Sequence, residues 1–180
     1  MRPYRRQLLV LVPLLGVVAL VAQVAGVGTT ERSHHAKKQR TVTLSVIPGG
    51  SVPDVGSTSV DATTVRADEG EVVRMHSKVQ VRAARLERDA TAQVVCGIRY
   101  SRDDDASWTL GTPYETVVLD HRGAKETVEI DRSFAAPAKD RYRMSISCHV
   151  ASPEAGATVT GRGRISAHLG LPEGAATPVE

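Results

Sequence analysis

The run DRYRMSISCHV, residues 140–150, alternates without a break. Tyr142, Met144, Ile146, Cys148 and Val150 fall on one side, and Arg141, Arg143, Ser145, Ser147 and His149 on the other. A period of two marks a β-strand with one face buried and one face wet. The pattern recurs upstream, where Val73, Met75, Val79 and Val81 oppose Arg74, His76, Lys78 and Arg82. The best helical candidate, AARLERDATA at 83–92, is short and reads as a loop. Strand-length runs bounded by Gly, Pro, Asp and Ser cover 41–47, 57–66, 71–82, 91–100, 106–110, 114–120, 125–131, 140–150 and 157–169. Short strands in this number, without helices, predict an all-β antiparallel sandwich or a barrel over residues 41–170.

Ahead of the strands lies LLVLVPLLGVVALVAQVAGVG, Leu8 to Gly28, twenty-one residues without a charge. At about 1.5 Å per residue a helix of this length crosses a hydrocarbon core of about 30 Å. The alternative is a cleaved signal peptide, whose apolar region is usually shorter and ends in an A-x-A-like site. Gln23 or Val24 would stand three positions before the best cuts, so an uncleaved transmembrane anchor is the favoured reading. YRRQLL at 4–9 resembles a twin-arginine export signal, but the strongly apolar run after it is atypical of one. Residues 29–40, TTERSHHAKKQR, read as a basic juxtamembrane stalk, and 171–180 as a disordered tail.

The isoelectric point near 9.1 invites a nucleic-acid reading, and the location of the charges removes it. Residues 1–40 carry seven Lys and Arg against Glu31, a balance of +6, whereas residues 41–180 carry 16 basic and 19 acidic side chains, or −3. The basic excess flanks the apolar segment, where cations sit beside lipid head groups, and the predicted domain has no net pull on a polyanion. Arginine outnumbers lysine 18 to 5 and asparagine is absent, a usage that points to a high-GC bacterial genome.

Cys96 and Cys148 both lie on predicted inward faces, 52 positions apart, and can close a disulfide there. An oxidised pair places residues 29–180 outside the cytoplasm, so the expected localisation is the cell membrane with an exoplasmic domain, or secretion if the leader is cut. The order Cys96, Trp108, Cys148 resembles the immunoglobulin fold, in which two cysteines of facing sheets bracket a core tryptophan. The resemblance covers about residues 70–169. It implies an immunoglobulin-like sandwich of about seven to nine strands, with an inter-sheet disulfide and with Trp108, Tyr142 and Ile146 in the core. Ile146 stands where that family has its corner tyrosine, so the tyrosine corner is expected to be absent; a jelly roll is the second choice of sandwich.

Motifs for catalysis are missing. The chain has no G-x-S-x-G, H-E-x-x-H, P-loop or dinucleotide-binding glycine pattern, and no enzyme, cofactor or metal site is expected. His34 and His35 lack further ligands, and Asp103, Asp104 and Asp105 lack the glycine and distal glutamate of a calcium loop. A sugar-binding module would want exposed aromatic rings, and only Tyr114 is left outward. If 140–150 and 157–169 are the adjacent strands F and G, then Arg141, Arg143, His149, Arg162, Arg164 and His168 share one outward surface. Glu129 and Asp131 would belong to the other sheet. That surface suits an envelope protein or an acidic polymer, because arginine pairs carboxylate and phosphate bidentately. The expected function is a binding or structural module of a bacterial cell envelope, with a secreted sandwich holding an unrecognised site as the alternative.

The anchor and the disulfide are testable together. The protein should stay in the membrane pellet through alkaline carbonate extraction, and denaturation without reductant should expose no reactive thiol. Two freely labelled thiols would overturn the exoplasmic assignment.

Overall fold

A computed structural model describes residues 39–53, 56–103, 105, 107–151 and 157–170. The anchor 8–28, the histidines of the stalk, Asp104 and the tail 171–180 lie outside the described residues. The strands are β1 (Val42–Thr43), β2 (Ser45–Val46), β3 (Thr58–Ala67), β4 (Val72–Arg85), β5 (Ala92–Arg102), β6 (Thr109–Leu119), β7 (Lys125–Ala135), β8 (Asp140–Val150) and β9 (Thr158–Gly170). The runs expected at 106–110 and 114–120 are one strand, β6, which a register shift opposite Gly97 and Arg99 bends rather than breaks.

Two sheets form the sandwich. The first is ordered β1-β9-β4-β7. In the second, β8 has β5 and then β6 on one side; on the other side lies β3, with β2 pairing in parallel at the strand's end. Counting β1 and β2 as one bent strand gives eight, and the sheets then run first-eighth-third-sixth and second-seventh-fourth-fifth. This is the connectivity of a jelly roll.

The immunoglobulin arrangement therefore needs correction. Cys96 and Cys148 are bonded, but they are direct partners on adjacent strands of one sheet. Their Cα atoms are 4.2 Å apart, close to the separation of a non-hydrogen-bonded antiparallel pair. Alternation shows that a residue faces inward; it does not show from which sheet. The family's corner position holds Ile146, as expected, but another tyrosine makes a comparable bond. Tyr142, 1% exposed, donates its hydroxyl to the Ala138 carbonyl (2.7 Å) and receives the Ala138 N–H (3.3 Å). That bond ties the start of β8 to the turn before it.

The core is valine-rich, as an aromatic-poor chain requires. Val73, Met75, Val79 and Val81 of β4 and Val128 and Ile130 of β7 pack with Val94, Cys96 and Ile98 of β5 and Met144, Ile146, Cys148 and Val150 of β8. Tyr100, Phe134 and Tyr142 join β5, β7 and β8, with Tyr100 and Phe134 stacked at 4.0 Å and Phe134 and Tyr142 edge-on at 5.3 Å. A bulge between Ser59 and Asp61 turns Asp61 toward the first sheet, where its carboxylate accepts the Ile165 N–H at 3.0 Å.

β9 crosses β4 closely because Gly163 has no side chain. A Cβ there would lie 2.6 Å from Val79 Cγ2 and 2.7 Å from the Lys78 carbonyl oxygen. Backbone on one side leaves little room to relax. Gly163→Ala should therefore lower the free energy of unfolding by about 1–3 kcal/mol, measured by urea denaturation.

Candidate functional site

The six residues expected on one face are divided between two. β8 belongs to the second sheet and β9 to the first, so Arg141, Arg143 and His149 do not meet Arg162, Arg164 and His168.

On β8 the three are already engaged. His149 is wholly buried. Because the Gly50 carbonyl can only accept, His149 Nε2 donates to it (2.8 Å), which leaves Nδ1 to accept from Ser57 Oγ (3.1 Å). The segment leading from β2 to β3 thus lies over this sheet, and a Cβ on Gly97 would come within 2.9 Å of Pro53. Arg143 and Arg141 reach the Asp103 carboxylate at 3.3 and 3.8 Å, and Arg143 also donates to the Asp105 carbonyl at 3.2 Å. The Asp105 carboxyl is held below the usual carboxylate range by the N–H and hydroxyl of Ser107. Asp103 thus spends both carboxylate oxygens, and Asp105 its Oδ1, on protein donors.

Trp108 is half-buried and stands outside the core, which corrects its expected place against the disulfide. Its ring centre is 4.8 Å from the guanidinium carbon of Arg99 and 5.5 Å from that of Arg143. Cations attracted to the ring quadrupole hold it on the outer face.

The first sheet presents a different surface. Its outward side chains form a grid set by register: Lys125 beside Arg82 beside Thr160, Thr127 beside Gln80 beside Arg162, and Glu129 beside Lys78 beside Arg164. The next rows hold Asp131, His76 and Ser166, then Ser133, Arg74 and His168. Glu129 and Asp131 therefore share this face, contrary to the expectation that they lie on the other sheet. Each is matched: Glu129 to Lys78 at 2.5 Å and Asp131 to His76 at 2.8 Å. Lys78 also keeps the Glu129 carboxyl below its ordinary range.

Three further cations of the grid are not matched. Arg82, Lys125 and Arg164 make no side-chain hydrogen bond or ion pair among the described residues, and Arg162 reaches only the amide oxygen of Gln39, at 3.1 Å. Lys78 stands directly opposite Arg164, and Arg82 directly opposite Lys125. Like charges placed directly across a sheet are destabilising. Counting Lys78, Arg82, Lys125, Arg162 and Arg164 against Glu129 and Asp131, these seven residues sum to +3, although residues 41–180 as a whole are −3. At about 3.4 Å per residue and 4.8 Å per strand, the grid from Lys78 to Arg82 across three strands measures about 14 by 10 Å. Gln80 is its centre.

Alternation in the sequence marks the β9 half of this grid as a candidate face and the β4 half only as outward. The missing signal was that β4, some 85 positions earlier, pairs with β9.

No protein family matches the chain, and no curated protein matches it. Among solved structures it is similar to the C-terminal domain of EclA, a sugar-binding protein, with 16% identity, 73% of this chain and 80% of that chain covered, and a TM-score of 0.36. It is similar to the CBM22-1 xylan-binding domain of Xyn10C from Paenibacillus barcinonensis, with 15% identity, 76% and 99% covered, and a TM-score of 0.34. It is also similar to Eiger TNF from S. frugiperda, with 9% identity, 79% and 100% covered, and a TM-score of 0.34. Likenesses this distant transfer neither ligand nor activity; the sandwich is read from the chain's own strand pairing.

With Trp108 on the surface side, its removal should cost less than a core truncation. Trp108→Ala should lose about 1–2 kcal/mol in chemical denaturation, from two cation–π contacts and partial burial, against the 3–5 kcal/mol of a core aromatic.

Proposed function

We propose that this protein is a membrane-anchored, exoplasmic binding module of a bacterial cell envelope, and that its ligand is an acidic polymer seated on the outer face of the first sheet. Residues 8–28 supply the anchor. The Cys96–Cys148 bond supports an oxidising compartment, since disulfides persist outside the cytoplasm. Binding, rather than catalysis, is the reading that the surface favours.

The observation that carries it is the unmatched cation set of Arg82, Lys125 and Arg164, each of whose members faces another cation across the sheet. A face chosen for stability alone would place carboxylates opposite them. A linear polyanion laid along β4 and β9 supplies the missing charges, and the guanidiniums of Arg82, Arg162 and Arg164 can each pair an acidic group bidentately. Thr127, Gln80 and Thr160 lie among them.

Stability and binding should separate in the variant Arg164→Glu. Placing a carboxylate opposite Lys78 should leave the fold unchanged or stabilise it by about 0.2–1 kcal/mol. Binding of the detergent-solubilised full chain to a soluble polyanion such as polygalacturonate or a polyphosphate should fall, and the salt dependence of what remains should flatten. Unaltered binding with unaltered salt dependence would overturn the assignment of this face.

A further inference from the structure

Arg132 is on β7 but points away from the grid, toward the open edge where β7 and β6 meet. It is half-buried, and burial pulls its guanidinium below the ordinary arginine range. Nη1 donates to the Ile98 carbonyl at 2.8 Å, and the guanidinium carbon lies 5.2 Å from the centre of the Tyr100 ring. No carboxylate among the described residues pairs with it; its chain neighbour Asp131 turns to His76 instead. A partly desolvated charge without a counter-ion is costly to keep. Arg132 also lines an open cleft of about 460 Å³, together with Met75, Pro113 and, from the last rows of the grid face, Arg74, Asp131 and Ser133. That volume falls in the range of small-molecule sites.

We propose that this cleft is a second ligand site, at the border of the cationic grid and centred on Arg132, which takes a carboxylate-bearing ligand of monosaccharide size, with a sugar acid as its source. The carboxylate occupies the donors of Arg132 that face the cleft, which a guanidinium can offer as a planar fork. Pro113 offers an apolar surface suited to the C–H face of a ring, and Met75, 2% exposed, backs the cleft from the core. Ser133 Oγ and the Asp131 carboxylate stand at the rim, where they can exchange hydrogen bonds with ring hydroxyls. A free amino acid presents the same carboxylate, with an ammonium that Asp131 could meet, so the two sources must be separated by experiment. The carboxylate contact does not depend on the polymer reading, because Arg132 takes no part in the grid, although Arg74, Asp131 and Ser133 border both.

The test uses the full chain in detergent micelles with ¹³C-methyl methionine. Met75 lines the cleft, while Met144 is wholly buried in the core and serves as an internal control. Glucuronate should shift the Met75 methyl resonance saturably and leave that of Met144 in place; glucose, which lacks the carboxylate, should not. Arg132→Gln should weaken glucuronate binding by about ten- to a hundredfold, the effect of losing a charge-assisted contact. Arg132→Lys keeps the charge and a donor for the Ile98 carbonyl. It should remain folded and still bind about tenfold more weakly, because it loses the fork. An equal response to glucose, no response to any ligand, or undiminished binding by Arg132→Lys and Arg132→Gln would overturn the site. A response to glycine or alanine in place of glucuronate would overturn the sugar acid. Loss of polyanion binding in Arg164→Glu, with the Met75 response intact, would show the two sites to be independent.

Discussion

The register between β5 and β8 governs both the inside and the outside of this sandwich. Nine residue pairs, from Val94 opposite Val150 to Arg102 opposite Tyr142, run along it, and the Cys96–Cys148 bond pins it at the third. Side chains alternate strictly, so a slip of one residue would turn Ile98, Met144 and Ile146 to solvent and drive Arg99 and Arg143 into the core. A covalent link across one pair forbids that slip. In the chain-entropy account, closing a loop of this length stabilises the fold by about 4 kcal/mol. The same register decides the outer side, where it brings the two arginines beneath Trp108 and places His149 to hold the segment that leads into β3.

The first sheet follows a different logic. Its inner side is ordinary valine packing, and Gly163 lets β9 approach β4 at van der Waals limits. Its outer side collects cations that the rest of the domain would attract electrostatically, yet keeps three of them away from any carboxylate. Tight backbone contact within the sheet supports an electrostatic arrangement that would be unfavourable in a looser one. Rigidity also matters for recognition. A grid fixed by ladder hydrogen bonds holds its charges at set spacings before a ligand arrives, so less ordering entropy opposes binding.

Strand positions and inward faces were legible in the sequence because period-two alternation reports directly on the backbone. Met144, Ile146 and Cys148 are inward as the alternation indicates, and Arg162 and Arg164 outward. Four things were not legible, each for a physical reason. Strand pairing is long-range, so nothing local showed that β9 lies beside β4 and not β8, and the expected six-residue face fell apart. A loop can cover an outward face, which is how His149, outward by alternation, became wholly buried. The Cys…Trp…Cys order suggested a core tryptophan, but Trp108 precedes β6 at its open end, where guanidiniums and not the disulfide were within reach. The hook of Tyr142 onto Ala138 was hidden because corner tyrosines are recognised by their distance from a cysteine that here has another role.

β7 is the outermost strand of its sheet, with one row of backbone donors and acceptors left for any passing strand. Among its eleven residues are Lys125, Glu126, Glu129, Asp131 and Arg132. Charge at this density makes an edge unwelcoming to a second chain, since docking would strip water from several ions at once. The strand that borders both proposed sites is thus also the one that keeps copies of the domain from zipping together at high concentration. An evolutionary change that retuned the ligand by neutralising these side chains would also weaken that safeguard, and solubility would limit how far recognition could drift.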